Sequence, residues 1–295
     1  MSTTSLSRLK RCILLACAKY RFVTNDQLHL MGLGHAVNIR RATRFLSQHP
    51  PKSPHLKCHQ FPISPKHGRL ANVFTITESG MSLVREMFPH RAIPNNPPTT
   101  IFGHDYHHRL AIITFRILLD MALTSSPYRL ETSEWYFERV SNASPTTFAN
   151  SLRSKTRFDF ADGSHFIPDG VIVLRNATSD NMAVFAIECV NGRDTARTLR
   201  QIRNHQRAIA EGIVSERYAL PEKQSFVSLF FFLRANAMPS VLKRLQDQPD
   251  FEPYSNNFLF APFSDLKSNV LGSWRIAMAP EKKYCFITGK TLMNQ

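Results

Sequence analysis

The chain has 295 residues, 43% of them hydrophobic, enough for one large domain or two ordinary ones with real cores. Thirty-seven Lys and Arg stand against 22 Asp and Glu, a net charge of +15, and residues 1–90 alone hold 13 basic and 3 acidic residues; such an excess points to nucleic acid or another anionic surface as partner. Cys12, Cys17, Cys58, Cys189 and Cys285 are scattered and form no C-x-x-C pair, which argues against a zinc cage or disulfide framework and for a reducing, cytoplasmic setting.

In chain order, residues 6–20 place Leu9, Ile13, Leu14, Cys17 and Ala18 at helical spacing. Leu14-Leu15-Ala16-Cys17 imitates a lipoprotein cleavage site. However, the apolar run is at the lower limit of a signal-peptide core, and Lys19 and Arg21 close it at once. No apolar stretch approaches the roughly 20 residues of a membrane span, so no membrane insertion is expected. Thr24 reads as the N-cap of a second helix, with Asp26 in its first turn and Leu28, Leu30 and Met31 behind; Gly32 and Gly34 end it. A third helix, 35–47, turns Ile39, Ala42, Phe45 and Leu46 inward and leaves Asn38, Arg40, Arg41 and Arg44 outward. Two strands, 56–63 and 69–75, flank the breaker-rich turn S-P-K-H-G, and a fourth helix runs from Thr77 to Phe88. Three helices, a basic hairpin and a closing helix predict a winged helix-turn-helix over residues 1–90. Its third helix would read base edges in the major groove with Asn38, Arg40, Arg41 and Arg44, while Lys66, His67 and Arg69 on the wing meet phosphate. The blander alternative is a solvated basic face on a protein-docking module.

Residues 91–103 are rich in Pro and Asn and read as a semi-rigid linker. The second domain, 104–295, opens with a helix over 107–123 and a strand over 128–140. A polar, basic loop over 141–157 precedes strands over 166–174 and 182–190. A helix over 195–211 carries Leu199, Ile202, Ala208 and Ile209 on its apolar side. The run 226–234, F-V-S-L-F-F-F-L-R, is the most apolar strand and so the central one. A helix over 239–246 and a strand over 257–261 complete the sheet. The fold class is α/β in the α+β sense, with a mixed sheet in the second domain.

Two of these strands bring Asp169, in F-I-P-D-G, beside Glu188, in A-I-E-C-V-N-G-R-D-T. A carboxylate pair on rigid strands suits Mg²⁺ or Mn²⁺, which take hard oxygen ligands and often only one or two from protein. Glu134 or Glu138 would add a third carboxylate or a base. In the plainer reading Asp169 caps a turn and Glu188 pairs with Arg193. Arg193, Arg197, Arg200, Arg203 and Arg207 give the following helix a basic side, either a phosphate track or a solvated face. Phe158, Phe160 and Trp135 suit base stacking or core packing. His104, His107 and His108 share a helix face that would bind a metal, or else bond to the linker or touch DNA.

The order α-β-β-β-α-β-α-β resembles the core of the PD-(D/E)xK nucleases, whose metal carboxylates sit on the second and third strands. Most of the chain resembles the replication-relaxation family and the MobC-type relaxases of mobilisable plasmids. The likeness rests on V-F-T-I-T-E-S-G, H-D-Y-H-H, E-W-Y-F-E-R, I-P-D-G and I-E-C-V-N-G-R-D-T, in that order. It implies a Mg²⁺- or Mn²⁺-dependent DNA-nicking relaxase or endonuclease of a mobile element. Such an enzyme serves plasmid mobilisation, conjugation or replication initiation at a transfer or replication origin, alongside other mobilisation proteins. It makes Asp169 and Glu188 the metal ligands. One departure stands out: the motif lysine, two residues after the glutamate, is Val190 here. Arg193, Arg197, Gln201 or Lys155 would have to replace it. Otherwise the chain is a non-catalytic, sequence-specific replication or transcription regulator on a degenerate nuclease fold. A type II restriction enzyme is the weaker third reading.

Overall fold

The computed structural model describes residues 6–64, 68–91, 93–94, 97–98, 105–141, 152–179, 181–221, 225–288 and 291–292. It is a mixed α/β structure in two units, Met1–Ile117 and Leu118–Gln295.

In the first unit, α1 (Arg8–Tyr20) buries Ile13, Leu14, Cys17 and Ala18. Strand β1 (Val23–Thr24) leads into α2 (Asn25–Leu30). The Thr24 hydroxyl accepts from the Gln27 N–H at 3.2 Å, and the Thr24 N–H donates to Gln27 Oε1 at 2.9 Å. This reciprocal cap satisfies two donors that a helix start otherwise leaves open. Gly32, at φ 71°, then ends the turn in the left-handed region. Helix α3 (Ala36–Leu46) buries Ile39, Ala42, Thr43 and Leu46. Thr43 takes the inward position expected of Phe45, and its hydroxyl donates to Asn25 Oδ1 at 3.0 Å. Phe45 is half-buried instead, with the Lys10 ammonium 3.3 Å from its ring centroid.

Strands β2 (Leu56–His59), β3 (Ile63–Ser64), β4 (Gly68–Arg69) and β5 (Val73–Ile76) follow, then α4 (Glu78–Met87). The sheet order is β1-β5-β2, all antiparallel, and β3 pairs with β4. Each of the two strands predicted from the sequence is thus a pair of short ones. β1 is too short for a hydrophobic pattern to announce it. In α5 (Tyr106–Leu123) the first turns belong to this unit: Gln27 Nε2 donates to the Leu110 carbonyl at 3.2 Å and to Thr114 Oγ1 at 3.0 Å. The division between units falls within α5, after Ile117.

The second unit contains β6 (Tyr128–Trp135), β7 (Arg139–Ser141), β8 (Leu152–Ser154), β9 (Phe158–Asp159), β10 (His165–Phe166), β11 (Gly170–Asn176) and β12 (Met182–Val190). Next come α6 (Thr195–Ala210), α7 (Ile213–Arg217), β13 (Val227–Phe232), α8 (Met238–Gln246), β14 (Phe258–Pro262) and α9 (Phe263–Ser268). Strands β15 (Trp274–Ile276), β16 (Ala279–Tyr284) and β17 (Thr291–Leu292) close the series. An eight-stranded mixed sheet runs β17-β16-β15-β14-β13-β12-β11-β6. Its β12, β13 and β14 are parallel, joined through α6 and α8, and the other neighbours are antiparallel.

Two predicted elements differ. The strand expected over 128–140 stops at Trp135, whose carbonyl accepts from the Glu138 N–H at 2.8 Å in a tight turn. β7 then pairs with β8, in a stretch whose polarity reads as loop. Val171, Val184, Ala186, Phe226, Phe230, Phe258 and Phe260 pack with α6 and α8 side chains on one face of the sheet. Ile172, Phe185, Ile187, Leu229 and Phe231, which alternate with them, are buried too. Burial on both faces removes the polar alternation from β13. Each buried Phe stabilises the platform by about 1.5–3 kcal/mol. All five cysteines are free, and no helix among the described residues is long and apolar enough to cross a membrane.

Candidate functional site

Gly170 pairs with Ile187 across β11 and β12, so one residue further Asp169 stands opposite Glu188, on the same face. Four local contacts fix this strand entry. The Thr156 hydroxyl donates to the Pro168 carbonyl at 2.6 Å, the Tyr136 N–H to the Asp169 carbonyl at 3.0 Å, and the Cys189 N–H to Asp169 Oδ2 at 2.8 Å. The fourth is steric. A Cβ on Gly170 would lie 2.6 Å from a Trp135 ring carbon, and Trp135 is fully buried. Glycine after Asp169 is therefore a packing requirement. Gly170→Ala is expected to cost about 1–3 kcal/mol by overpacking, seen as a lower melting temperature; an unchanged melt would contradict the contact.

Glu188 points at α6. Its Oε2 accepts from Gln201 Nε2 at 3.0 Å, and its Oε1 lies 3.1 Å from His205 Nε2. On the far side of the imidazole, Nδ1 is 2.8 Å from Ser228 Oγ on β13. Arg197, Gln201 and His205 recur every fourth residue and so share one side of the helix. Asp169 and Glu188 are 8% and 4% exposed, and His205 and Ser228 are fully buried.

Burial first, then the negative charge of Asp169, push Glu188 well above the usual carboxylate range. The positive charge of Arg197 pulls the other way, and a hydrogen bond with the Asp169 carboxyl adds to the rise. Burial pushes His205 down to about 3. Both shifts disfavour charge, so the Glu188–His205 contact is nearer to a neutral hydrogen bond than to an ion pair. The chain Glu188–His205–Ser228 has the composition of a nucleophilic triad. Ser228 is fully buried on an interior strand, close to the phenylalanines that ring His205, so it does not serve as a nucleophile.

The charge of Asp169 raises the cost of ionising Glu188, and a hard divalent cation between the two carboxyls would relieve it. Among the described residues no group of three or more His, Cys, Asp or Glu is placed to hold a metal ion. A cation here would complete its shell with water and phosphate oxygens, which Mg²⁺ accepts.

The other predicted site residues are distributed as follows. The Glu134 carboxylate accepts from Arg217 at 2.7 Å and from the Tyr218 hydroxyl at 2.9 Å. Glu138 pairs with Lys155 at 3.2 Å. The turn after Trp135 breaks the alternation that would put these two glutamates on one face. Val190 is buried in the apolar cluster under α6 and α8. Arg193, Arg197, Arg200 and Arg203 are exposed. Arg207 is engaged by Asp162 and Glu211, and its guanidinium lies 4.0 Å from the Phe160 ring centroid. Trp135, Phe158 and Phe160 are core residues.

In the first unit Asn38, Arg40, Arg41 and Arg44 are exposed on α3, and Arg69 is exposed on β4. Lys66, His67 and His104 lie outside the described residues; His107 is exposed and His108 half-buried at the start of α5. His205 and Ser228 are not among the residues that the sequence singles out. Both left a trace: a histidine between Ile202 and Ala208 on the buried stripe of α6, and one polar residue in the apolar strand β13. Comparison of the chain with protein-family models, with curated proteins and with solved structures finds no match.

Proposed function

We propose that this chain is a DNA-processing protein of the relaxase or nicking-endonuclease type, with a winged helix-turn-helix in the first unit and a PD-(D/E)xK nuclease-like second unit. The observation that carries the reading is the meeting of Asp169 and Glu188 carboxyls from adjacent strands. They would hold Mg²⁺ or Mn²⁺, which when bound polarises a phosphoryl oxygen and lowers the pKa of a coordinated water.

The remaining work falls to the chain itself. Asp169 is fixed by the Cys189 amide, and Glu188 by Gln201. With Val190 in the lysine position, Arg197 supplies positive charge near the pair and Gln201 a neutral donor. Exposed Arg193, Arg200 and Arg203 offer the approaching backbone a cationic flank. The basic α3 of the first unit would select the DNA site, such as a transfer or replication origin.

The test is nicking of supercoiled plasmid carrying the cognate origin, with and without Mg²⁺ or Mn²⁺. Cleavage that requires the cation supports the reading; none at any protein concentration overturns it. Arg41→Ala and Arg44→Ala are expected to weaken DNA binding and to lower its salt slope by about one each where the side chain meets phosphate. A salt slope unmoved in both variants would remove α3 from the interface. A second reading, a non-catalytic DNA-binding regulator, is favoured by one observation: the motif lysine's position is occupied by a core valine.

A further inference from the structure

We infer that His205, backed by Ser228, is the positioning residue for Glu188: it fixes the direction of Oε1 and thereby the shape of the carboxylate pair. This rests on the cation reading above. Each Glu188 oxygen is held by a different α6 residue, Gln201 at 3.0 Å and His205 at 3.1 Å. Gln201 is half-buried, with a flexible side chain. His205 has no such freedom. Its ring centroid is 5.1 Å from that of Phe230 and 5.2 Å from that of Phe166, both edge-on, and 6.1 Å from that of Phe226. Its Nδ1 is held at 2.8 Å by Ser228.

A neutral imidazole carries one N–H, and a serine hydroxyl both donates and accepts. With the Ser228 proton directed at Nδ1, the Nε2–H is committed to Glu188. The carboxylate then receives a donor of fixed direction from a group that brings no charge of its own. Groups that orient a metal-binding side chain in this way govern affinity for the ion. A buried histidine needed only for packing would be served as well by a leucine, and the four rings around it, Phe166, Phe226, Phe230 and Phe258, would accept one.

The experiment is Mn²⁺ binding, followed by electron paramagnetic resonance and calorimetry, on the wild-type chain and on His205→Leu, His205→Gln and Ser228→Ala. His205→Leu is expected to bind Mn²⁺ about 10–100-fold more weakly. His205→Gln, which restores a donor, recovers most of that loss, and Ser228→Ala shows a smaller loss than the leucine variant. In nicking assays the cation concentration for half-maximal rate should rise while the rate at saturation stays near that of the wild type. Wild-type affinity in His205→Leu overturns the inference, as does a glutamine variant no better than leucine. Should the leucine variant not fold, Ser228→Ala decides alone: affinity equal to wild type overturns the inference. Absence of Mn²⁺ binding by the wild type itself defeats the cation reading, a result distinguishable from the others.

Discussion

Glu188→Gln is expected to abolish cation-dependent nicking while raising the melting temperature of the cation-free protein. Glu188 is buried against Asp169, and both its burial and that neighbour's charge penalise ionisation. Glutamine has nearly the same shape, and its amide is neutral at every pH. It still offers an oxygen to Gln201 and a donor to Asp169. The imidazole adapts by accepting at Nε2 and donating from Nδ1 to Ser228, whose hydroxyl takes either role. Each pKa unit of relief is worth about 1.4 kcal/mol, and each kcal/mol moves the melt of a unit this size by about 2–4 °C. The cation would lose one of two anionic ligands, and a loss of about 4 kcal/mol of transition-state stabilisation is a thousandfold in rate. Asp169→Asn should lose nicking to the same degree while keeping an acceptor for the Cys189 amide. Melts in a chelating buffer beside plasmid nicking test both halves. Nicking retained in either variant removes the pair from the chemistry, and a lower melt for Glu188→Gln removes the claimed repulsion.

Opposed gains and losses of this kind are expected where a site is built for an ion, because the groups that bind it repel one another without it. The sequence predicts where the tension lies because β11 and β12 are continuous apolar runs, each carrying one acid at its end. Their pairing makes the two acids neighbours without further assumption. The place of β13 in the interior of the sheet was legible for the same reason: strands buried on both faces read as unbroken apolar runs. The tail was not legible. β15 and β16 join the sheet through W-R-I and A-P-E-K-K-Y, which carry no alternation, so their pairing is set by tertiary context.

The site was half legible. Asp169 and Glu188 could be named from their strands. Glu134 could not be assigned, because its partners Arg217 and Tyr218 lie more than eighty residues away in sequence. His205 occupies the gap between Ile202 and Ala208 in the apolar stripe of α6, and Ser228 is the single polar residue of β13. Either alone reads as a tolerated polar residue in a core. Only the packing of α6 over β12 and β13 shows that they serve the same carboxylate.

That shared packing gives the cation-free protein an expected pH dependence with two opposed limbs. His205 is held down to about 3 in the fold against an ordinary 6.5, so between those values the unfolded chain binds more protons. Stability from this group is therefore present above pH 6.5 and is lost as pH falls toward 3, on the order of 5 kcal/mol if complete. Glu188 is shifted upward, so its contribution is present below its ordinary value of 4.5 and is lost as pH rises through the folded value. The two slopes oppose each other between 4.5 and 6.5, and stability should peak in that interval. His55 and His59, both lowered by burial, bend the first unit's curve in the same sense as His205. The variant comparison isolates the second unit: His205→Leu removes its acid limb, and Glu188→Gln removes its alkaline one. Mg²⁺ should flatten the alkaline limb in the wild type, since a cation that binds only the folded protein with Glu188 ionised adds stability as pH rises. Urea melts across that range, in chelator and in Mg²⁺, give the answer directly. Parallel curves for wild type and His205→Leu would show that the buried imidazole is not coupled to folding, and a wild-type alkaline limb indifferent to Mg²⁺ would place the cation elsewhere.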